Sequence, residues 1–175
     1  MIQKFLAVTL SMFFLSSLHA VEVSESQKFI GVEVSISEVQ GDGPSDIAAN
    51  VSNGTSVGLR LGAQNEKWRT TIGLTYFDQE GRNIERLYGE IDSFFLAANL
   101  WDSLIIQPFI GFNIGYQNYE SNEVDENGFV YGGQIGVVTD VLDSLSIDIS
   151  YRYTLSNQEA FDHSADIVFG FNYQY

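Results

Sequence analysis

The chain has 175 residues, 45% of them hydrophobic and 14% aromatic, with a formal net charge of −15 and no cysteine. This length allows one domain or at most two small ones, and the missing cysteines exclude a disulfide framework and a cysteine-ligated zinc module. Nucleic acid is a poor partner, because the chain has 23 acidic and 8 basic residues and both molecules would be anionic.

Residues 1–20 have the layout of a secretory signal peptide. Lys4 supplies a positive start, residues 5–15 are apolar, and residues 16–20 form a small-residue exit that ends at Ala20. We therefore expect cleavage after Ala20 and a mature domain of residues 21–175. The apolar stretch is too short for a membrane anchor, and no later stretch approaches the ~20 apolar residues that a spanning helix needs.

From Phe29 onward, apolar and polar residues alternate with a period of two, which predicts β-strands. Eight segments carry the pattern: residues 29–38, 55–64, 68–77, 86–100, 106–116, 129–139, 145–153 and 165–175. The fourth is the least regular, because Glu90 and Asp92 share the phase of the apolar residues that follow them. We expect that end of the strand to leave the apolar zone or to contain a bulge.

The connections between these segments alternate in length. Those at 65–67, 102–103 and 140–144 are short, whereas those at 39–53, 78–85, 118–128 and 154–164 are mostly longer and strongly polar. This alternation is typical of an up-and-down meander of antiparallel hairpins. An even number of strands puts both termini at one end, which we expect to be periplasmic, with the longer loops outside the cell.

Two architectures use eight such strands, a soluble barrel with an apolar interior and a membrane barrel with an apolar exterior. The polar phase carries mid-strand charges, namely Glu33, Arg60, Asp148 and Arg152. The apolar phase is nearly free of charge, and aromatic residues stand near its ends as an interfacial girdle would require: Trp68, Trp101, Tyr76, Tyr116, Tyr131 and Tyr153. The sequence therefore predicts an all-β, eight-stranded antiparallel up-and-down transmembrane β-barrel, closed because hydrocarbon tolerates no unpaired strand edge.

Two strands and the C-terminus resemble a known family. Residues 108–116 (PFIGFNIGY) and 145–153 (LSIDISYRY) are similar to strands of the small outer-membrane β-barrel family, which includes the OmpA transmembrane domain, OmpX and the opacity-type porin-like proteins. The last six residues (GFNYQY) resemble the signal read by the barrel-assembly machinery, through Gly170, Tyr173 and Tyr175. Val168, where a polar residue is usual, and Tyr175, where Phe is commonest, depart from that signal.

The resemblance implies a monomer in the bacterial outer membrane. Its implied partners are outer-membrane lipids, lipopolysaccharide and the assembly machinery. It is specific for the fold and weak for the activity, because this family shares its architecture and diverges in its loops.

The charges in the polar phase predict a packed interior. Glu33 and Arg60 lie on adjacent strands and are expected to form a cross-strand ion pair. Asp148 and Arg152 lie about 13 Å apart along one strand and are expected to pair across the lumen instead. Because eight strands leave just enough space for side chains, we favour a filled core over a gated polar path, and we expect Arg60→Ala to destabilise the barrel by leaving Glu33 unpaired.

Catalysis and specific metal binding are not expected. His163, the one histidine of the mature chain, is adjacent to Ser164, and neighbours on a strand point to opposite faces, so they cannot form a nucleophile–base pair. Residues 154–157 (TLSN) resemble the His-x-Ser-Asn motif of the lipid A deacylase PagL, but Thr154 replaces the catalytic histidine. The acidic residues of 120–127 could offer oxygen ligands to Ca²⁺, but their spacing is not that of an EF-hand, so we expect only non-specific cation bridging to lipopolysaccharide phosphates.

Taken with these exclusions, the sequence predicts an integral outer-membrane barrel with a structural or adhesin-like surface role. Acidic extracellular loops would contact a host, a neighbouring cell or a ligand, and no cofactor is implied. Two other functions remain open: a narrow porin-like channel for small solutes and, less favoured, a lipid A-modifying enzyme.

Overall fold

The computed structural model describes residues 26–41, 50–79, 81–95, 98–101, 104–121, 124–159 and 161–175. The predicted signal peptide at 1–20 lies outside these residues. Within them the chain forms nine strands: β1 (Gln27–Gly41), β2 (Asn50–Gln64), β3 (Trp68–Gln79), β4 (Arg82–Phe94), β5 (Ala98–Trp101), β6 (Leu104–Ser121), β7 (Asp125–Leu142), β8 (Leu145–Ser156) and β9 (His163–Gln174). Because β4 and β5 both pair with β6, they are successive segments of one barrel strand, which gives eight strand positions.

The strands form a closed antiparallel sheet. Each strand position pairs with its neighbours along the chain, and β1 pairs with β9 from Phe29 opposite Gln174 to Gln40 opposite His163. This last ladder closes the cylinder, so each of the eight strand positions has a neighbour on both sides. The structure confirms the all-β, eight-stranded, up-and-down barrel that the alternation predicted. Across the described ranges, no helix is long and apolar enough to span a bilayer.

The two ends of the barrel differ. One end, called the terminal end here, carries the beginning of β1, the end of β9 and the connections that join β2 to β3, β5 to β6 and β7 to β8. The other, called the distal end, carries the β1–β2, β3–β4, β6–β7 and β8–β9 connections.

Strands extend further into the distal end than the alternation indicated. Glu120 of β6 pairs with Asp125 of β7, and Gly41 of β1 pairs with Asn50 of β2. The β3–β4 connection is a tight turn in which Gly81 has a φ of 80°, a backbone conformation that glycine adopts without strain. Within these extensions Val39, Ile84 and Tyr119 are buried inside the barrel, so apolar side chains take the inward face that is polar in the middle of the strands.

The irregular fourth strand departs from its expectation. Glu90 and Asp92 belong to regular β4, and both side chains point into the barrel. The register changes beyond them instead: Phe94 pairs with Phe109 but Ala98 pairs with Ile106, a shift of one residue. The expectation that the strand leaves the apolar zone or contains a bulge at Glu90 and Asp92 is therefore wrong. The register shift beyond them exchanges the inward and outward phases, which puts these two inward acids in phase with later apolar residues.

Candidate functional site

The outer surface of the cylinder is apolar. Alternate residues point outward and are strongly exposed, including Leu59 at 63%, Phe112 at 77% and Ile114 at 60%. The strands β1, β3, β4, β7, β8 and β9 contribute to the same band, with Val32, Leu74, Leu87, Ile135, Ile149 and Phe171 as examples. A continuous apolar band of this extent is unfavourable in water, whereas it matches the hydrocarbon layer that surrounds a membrane barrel.

Aromatic residues lie toward both limits of this band. Trp68 is half-exposed at the terminal end, and Tyr76, Tyr116, Tyr131 and Tyr153 are exposed on the outer surface nearer the distal end. Tyr116 packs edge-to-face on Phe129, with ring centroids 5.4 Å apart. The side chain of Trp101 lies outside the described residues, and the girdle role of all six remains a proposal.

The interior is occupied by a network of charged side chains. We call seven of them the central cluster: Glu33, Arg60, Arg69, Glu90, Asp92, Asp148 and Arg152, all of which are buried. They come from β1, β2, β3, β4 and β8, at alternate positions where the strand pleat points a side chain to the barrel axis.

Asp148 is the carboxylate that joins two arginines of the cluster. The guanidinium of Arg60 donates to both of its oxygens, and Nη1 of Arg69 lies 3.2 Å from Oδ2. Asn172 adds a donor from Nδ2 at 2.9 Å and in turn accepts from Nε of Arg60 at 2.7 Å. Three elements are therefore tied to β8 through this one side chain.

Arg152 organises the other half of the cluster. Its two terminal nitrogens lie 3.2 and 3.4 Å from the two carboxylate oxygens of Glu33, and Nη2 lies 2.7 Å from Oε1 of Glu90. The hydroxyl of Tyr88 donates to Glu33 at 2.6 Å, and the Tyr88 ring lies 4.6 Å from the Arg152 guanidinium carbon. This stacking suits the flat guanidinium, which is more weakly hydrated than an ammonium group.

Arg69 links the cluster to an aromatic layer at the terminal end. Its Nε donates to Asp92 at 2.8 Å, and Asp92 also accepts from Gln134 at 2.6 Å. The guanidinium carbon lies 4.5 Å from the centroid of the Phe109 ring. Phe109 packs with Phe94. These two side chains and the buried Phe29 and Val138 fill the terminal end of the barrel.

An apolar group fills the distal end. Five buried side chains, called the distal plug here, pack together: Val39, Phe77, Ile84, Tyr119 and Phe161. Phe161 is fully buried although it lies in the β8–β9 connection. That connection is held down by backbone hydrogen bonds, from Asp162 to the Gln40 carbonyl at 3.0 Å and from Ser156 to the Asp162 carbonyl at 3.0 Å.

A small polar cavity separates the distal plug from the central cluster. It offers about 20 Å³ to water centres, which is room for about one water molecule. Its walls include the hydroxyls of Ser35, Ser37, Ser56 and Ser164 and the Arg86–Asp166 ion pair, which spans 3.6 Å.

The comparisons with known proteins support the same architecture. No protein-family model and no curated protein matches the chain. Among solved structures, it is similar to Neisserial surface protein A, with a TM-score of 0.59 and 11% identity over 85% of this chain and 97% of that chain. Outer membrane protein H from P. aeruginosa gives 0.59 and 17% over 85% and 99%. Ail, the attachment invasion locus protein of Yersinia pestis, gives 0.54 and 15% over 86% and 99%.

The chain has the fold of a small outer-membrane β-barrel. At these identities the likeness extends to architecture alone, and the apolar outer band agrees with it independently.

The structure brings the sequence-predicted interior charges together and gives Arg60 further partners across the barrel. Glu33 and Arg60 form the predicted cross-strand ion pair at 3.8 Å, and Arg60 makes its hydrogen bonds to Asp148 and Asn172. Asp148 and Arg152 each pair with other strands, as their spacing required. Arg60→Ala would therefore remove an ion-pair partner from Glu33, as expected, and would also remove the hydrogen-bonded arginine of Asp148.

Several residues of the barrel interior were not among the sequence predictions. Arg69, Arg86 and Asp166 occupy the inward phase of their strands, so the period of two contained the signal that could have found them. Gln134 and Asn172 satisfy carboxylates of the central cluster, but neutral amides do not stand out in a polar phase.

The potential catalytic and metal-binding residues are dispersed. His163 lies 2.9 Å from Asp162 and against the ring of Tyr153, whereas the Ser164 side chain points into the barrel and accepts from Arg86. Thr154 is buried, and Ser156 bonds to Gln158. Within the part of the chain that the structure describes, no three histidine or acidic side chains are grouped to hold a metal ion.

The proposed assembly signal also includes a packing position. Tyr173 and Tyr175 face outward and are exposed, whereas Gly170 faces inward. A Cβ atom at Gly170 would collide with the guanidinium of Arg60. Gly170 thus leaves the space in which Arg60 reaches Asp148. The role of Gly170 in an assembly signal stays a prediction.

Proposed function

We propose that the protein is a closed, non-catalytic barrel of the bacterial outer membrane that acts through its acidic distal surface. The observation that carries this proposal is the filling of the barrel axis in three layers: the distal plug, the central cluster and the aromatic layer around Phe109. A barrel filled in this way offers its rim, rather than its lumen, for interaction.

The interior layers argue against a channel. An ion would have to displace Phe161 and its neighbours and then separate arginine–carboxylate pairs that are bonded from several strands. Breaking one buried pair costs about 3–5 kcal/mol. The cavity between the distal plug and the central cluster has room for about one water molecule, which is too small for a solute path.

The distal surface is exposed and mainly acidic, with Arg82 beside the β3–β4 turn as a partly exposed basic residue. Asp78, Glu85, Glu120 and Asp125 lie on the neighbouring strands β3, β4, β6 and β7 at the limit of the apolar band, and all four are exposed. Four of the arginines are buried inside the barrel and cannot offset this charge at the surface. A surface of this kind attracts cationic groups and is repelled by phosphate unless divalent cations intervene.

One comparison favours a surface role. Ail has this fold and is named for attachment and invasion. We infer that the acidic distal surface of the present barrel contacts a basic partner on another cell, or bridges to lipopolysaccharide through divalent cations.

The proposal predicts that neutralising the distal surface abolishes interaction without unfolding the barrel. The variant Asp78→Asn, Glu85→Gln, Glu120→Gln and Asp125→Asn removes four charges with little change of shape, and exposed substitutions of this kind alter stability by about 0.5 kcal/mol or less each. Cells that express it should lose binding to target cells or serum resistance relative to wild type, while heat-modifiable migration on a gel is retained.

The matched control is Asp140→Asn with Asp143→Asn, which neutralises exposed acids at the terminal end and should leave both phenotypes unchanged. Equal phenotypes for wild type and the distal variant would contradict the proposed role of this surface. Lipid A mass spectra from cells with and without the protein test the remaining alternative, and a gained or lost acyl chain would contradict a non-catalytic barrel.

A further inference from the structure

The buried charges of the barrel do not balance. Among the described residues, four arginines and five carboxylates are buried. Arg86 and Asp166 pair on the distal side, which leaves the central cluster with Arg60, Arg69 and Arg152 against Glu33, Glu90, Asp92 and Asp148. One negative charge is therefore in excess, and an uncompensated charge in a closed interior is strongly unfavourable.

Three of the four carboxylates are well satisfied. Asp148 accepts hydrogen bonds from two arginines and Asn172. Asp92 accepts from Arg69 and Gln134. Glu33 accepts from Arg152 and Tyr88.

Glu90 differs from these three. Glu90 is buried at 3% exposure, and it lies against the guanidinium of Arg152, which it shares with Glu33. Although Nη2 of Arg152 lies 2.7 Å from Oε1 of Glu90, the atoms are not aligned for a hydrogen bond, and Oε1 has no hydrogen-bond partner. Of the cluster's carboxylates, Glu90 is the least compensated.

The groups around Glu90 come from several strands of the barrel. Thr71 of β3 and Asn113 of β6 flank it in the sheet, and Nδ2 of Asn113 is itself buried without a hydrogen-bond partner. Charged and titratable groups that act on Glu90 are Glu33 from β1, Arg69 from β3, Tyr88 and Asp92 on β4, and Arg152 from β8. Every arginine among them is already engaged by a better-bonded carboxylate.

We propose that Glu90 is a proton-binding site of the folded barrel, so that the central cluster contains three arginines, three carboxylates and one neutral carboxylic acid. The proton cancels the excess charge without requiring space for another ion. The proton also gives Glu90 a hydroxyl group that can donate a hydrogen bond, whereas Oε1 of the carboxylate accepts none.

The proposal has a defined consequence for stability. A free glutamate is ionised above about pH 4.3, so at neutral pH the folded barrel would bind one proton that the unfolded chain does not. Stability then falls as pH rises, and the unfolding constant increases by up to tenfold per pH unit over the range in which the folded state keeps the proton. Carboxylates bonded to arginine have the opposite dependence, which is confined to more acidic solutions.

Infrared spectroscopy of the refolded barrel in detergent or vesicles tests this directly. At neutral pH, wild type should show the carbonyl stretch of one protonated carboxyl group, and Glu90→Gln should lack it. The exposed Glu38→Gln should retain the band. A wild-type spectrum without the band, or a band that persists in Glu90→Gln, would overturn the proposal.

Urea unfolding gives a second measurement from about pH 5 to about pH 8. The unfolding constant of wild type should rise with pH, whereas that of Glu90→Gln should stay nearly constant, because a neutral amide replaces the neutral acid. If wild type instead follows the sodium concentration at fixed ionic strength and shows no protonated carboxyl band, a bound cation balances the cluster and the proton site is wrong.

Discussion

Replacing Asp148 with asparagine is expected to lower the free energy of unfolding of the barrel by about 3–5 kcal/mol. Asp148 is fully enclosed and accepts from Arg60, Arg69 and Asn172. Asparagine keeps the shape of the side chain but removes the charge that two buried guanidinium groups share. Arg69 retains Asp92, whereas Arg60 keeps only the more distant Glu33 at 3.8 Å as a carboxylate.

Urea unfolding of the refolded protein in detergent or vesicles measures this effect. Asp143→Asn is the matched control, because Asp143 is exposed in the β7–β8 turn, and its effect should stay within about 0.5 kcal/mol. A cycle of Arg60→Ala, Asp148→Ala and the double variant should give a coupling energy of about 1–3 kcal/mol. Additive effects in that cycle would show that the pair does not act as the structure indicates.

Replacing Phe161 with alanine is expected to cost about 3–5 kcal/mol, the usual range for a fully buried phenylalanine. Phe161 is 0% exposed and packs on Tyr119, with ring centroids 6.1 Å apart. Its removal leaves a cavity in the distal plug that the strand ends cannot close without giving up their pairing. Phe112→Ala is the comparison, because this side chain is 77% exposed on the outer surface and its loss should cost less than half as much.

The same variant separates a filled barrel from a gated channel. Planar-bilayer recordings should show no steady unitary conductance for wild type or for Phe161→Ala, because the central cluster still crosses the axis below the distal plug. A stable wild-type conductance that increases in Phe161→Ala would favour the porin-like alternative and make Phe161 its gate.

Much of the barrel follows from the alternation of side chains. The period of two placed Glu33, Arg60, Asp148 and Arg152 on the inward face, and the structure has all four buried. Which of them pair could not be predicted in the same way, because contacts across the lumen depend on the stagger between strands and on side-chain rotamers. Arg60 illustrates this, since its main carboxylate partner is 88 positions away in the sequence.

Two other features were hidden for identifiable reasons. The change of register between Phe94 and Ala98 exchanges the two faces, so Glu90 and Asp92 could not be placed by extending the pattern through it. Phe161 lies in a polar connection with no periodicity, and its inward position is set by the backbone bonds of the β8–β9 connection to Gln40 and Ser156. In both cases tertiary structure, rather than local pattern, decides which way the side chain points.

The central claim is that the apolar outer band faces lipid and ends at the acidic distal surface. Because the chain has no cysteine, single nitroxide labels can be attached through cysteines at Leu59 and Ile114 in the band, and at Glu85 and Asp125 beyond it. In vesicles, we expect oxygen to relax the first two labels and a water-soluble nickel chelate to relax the last two. Equal nickel relaxation at all four sites would mean that the band faces water, and would contradict this account of the barrel.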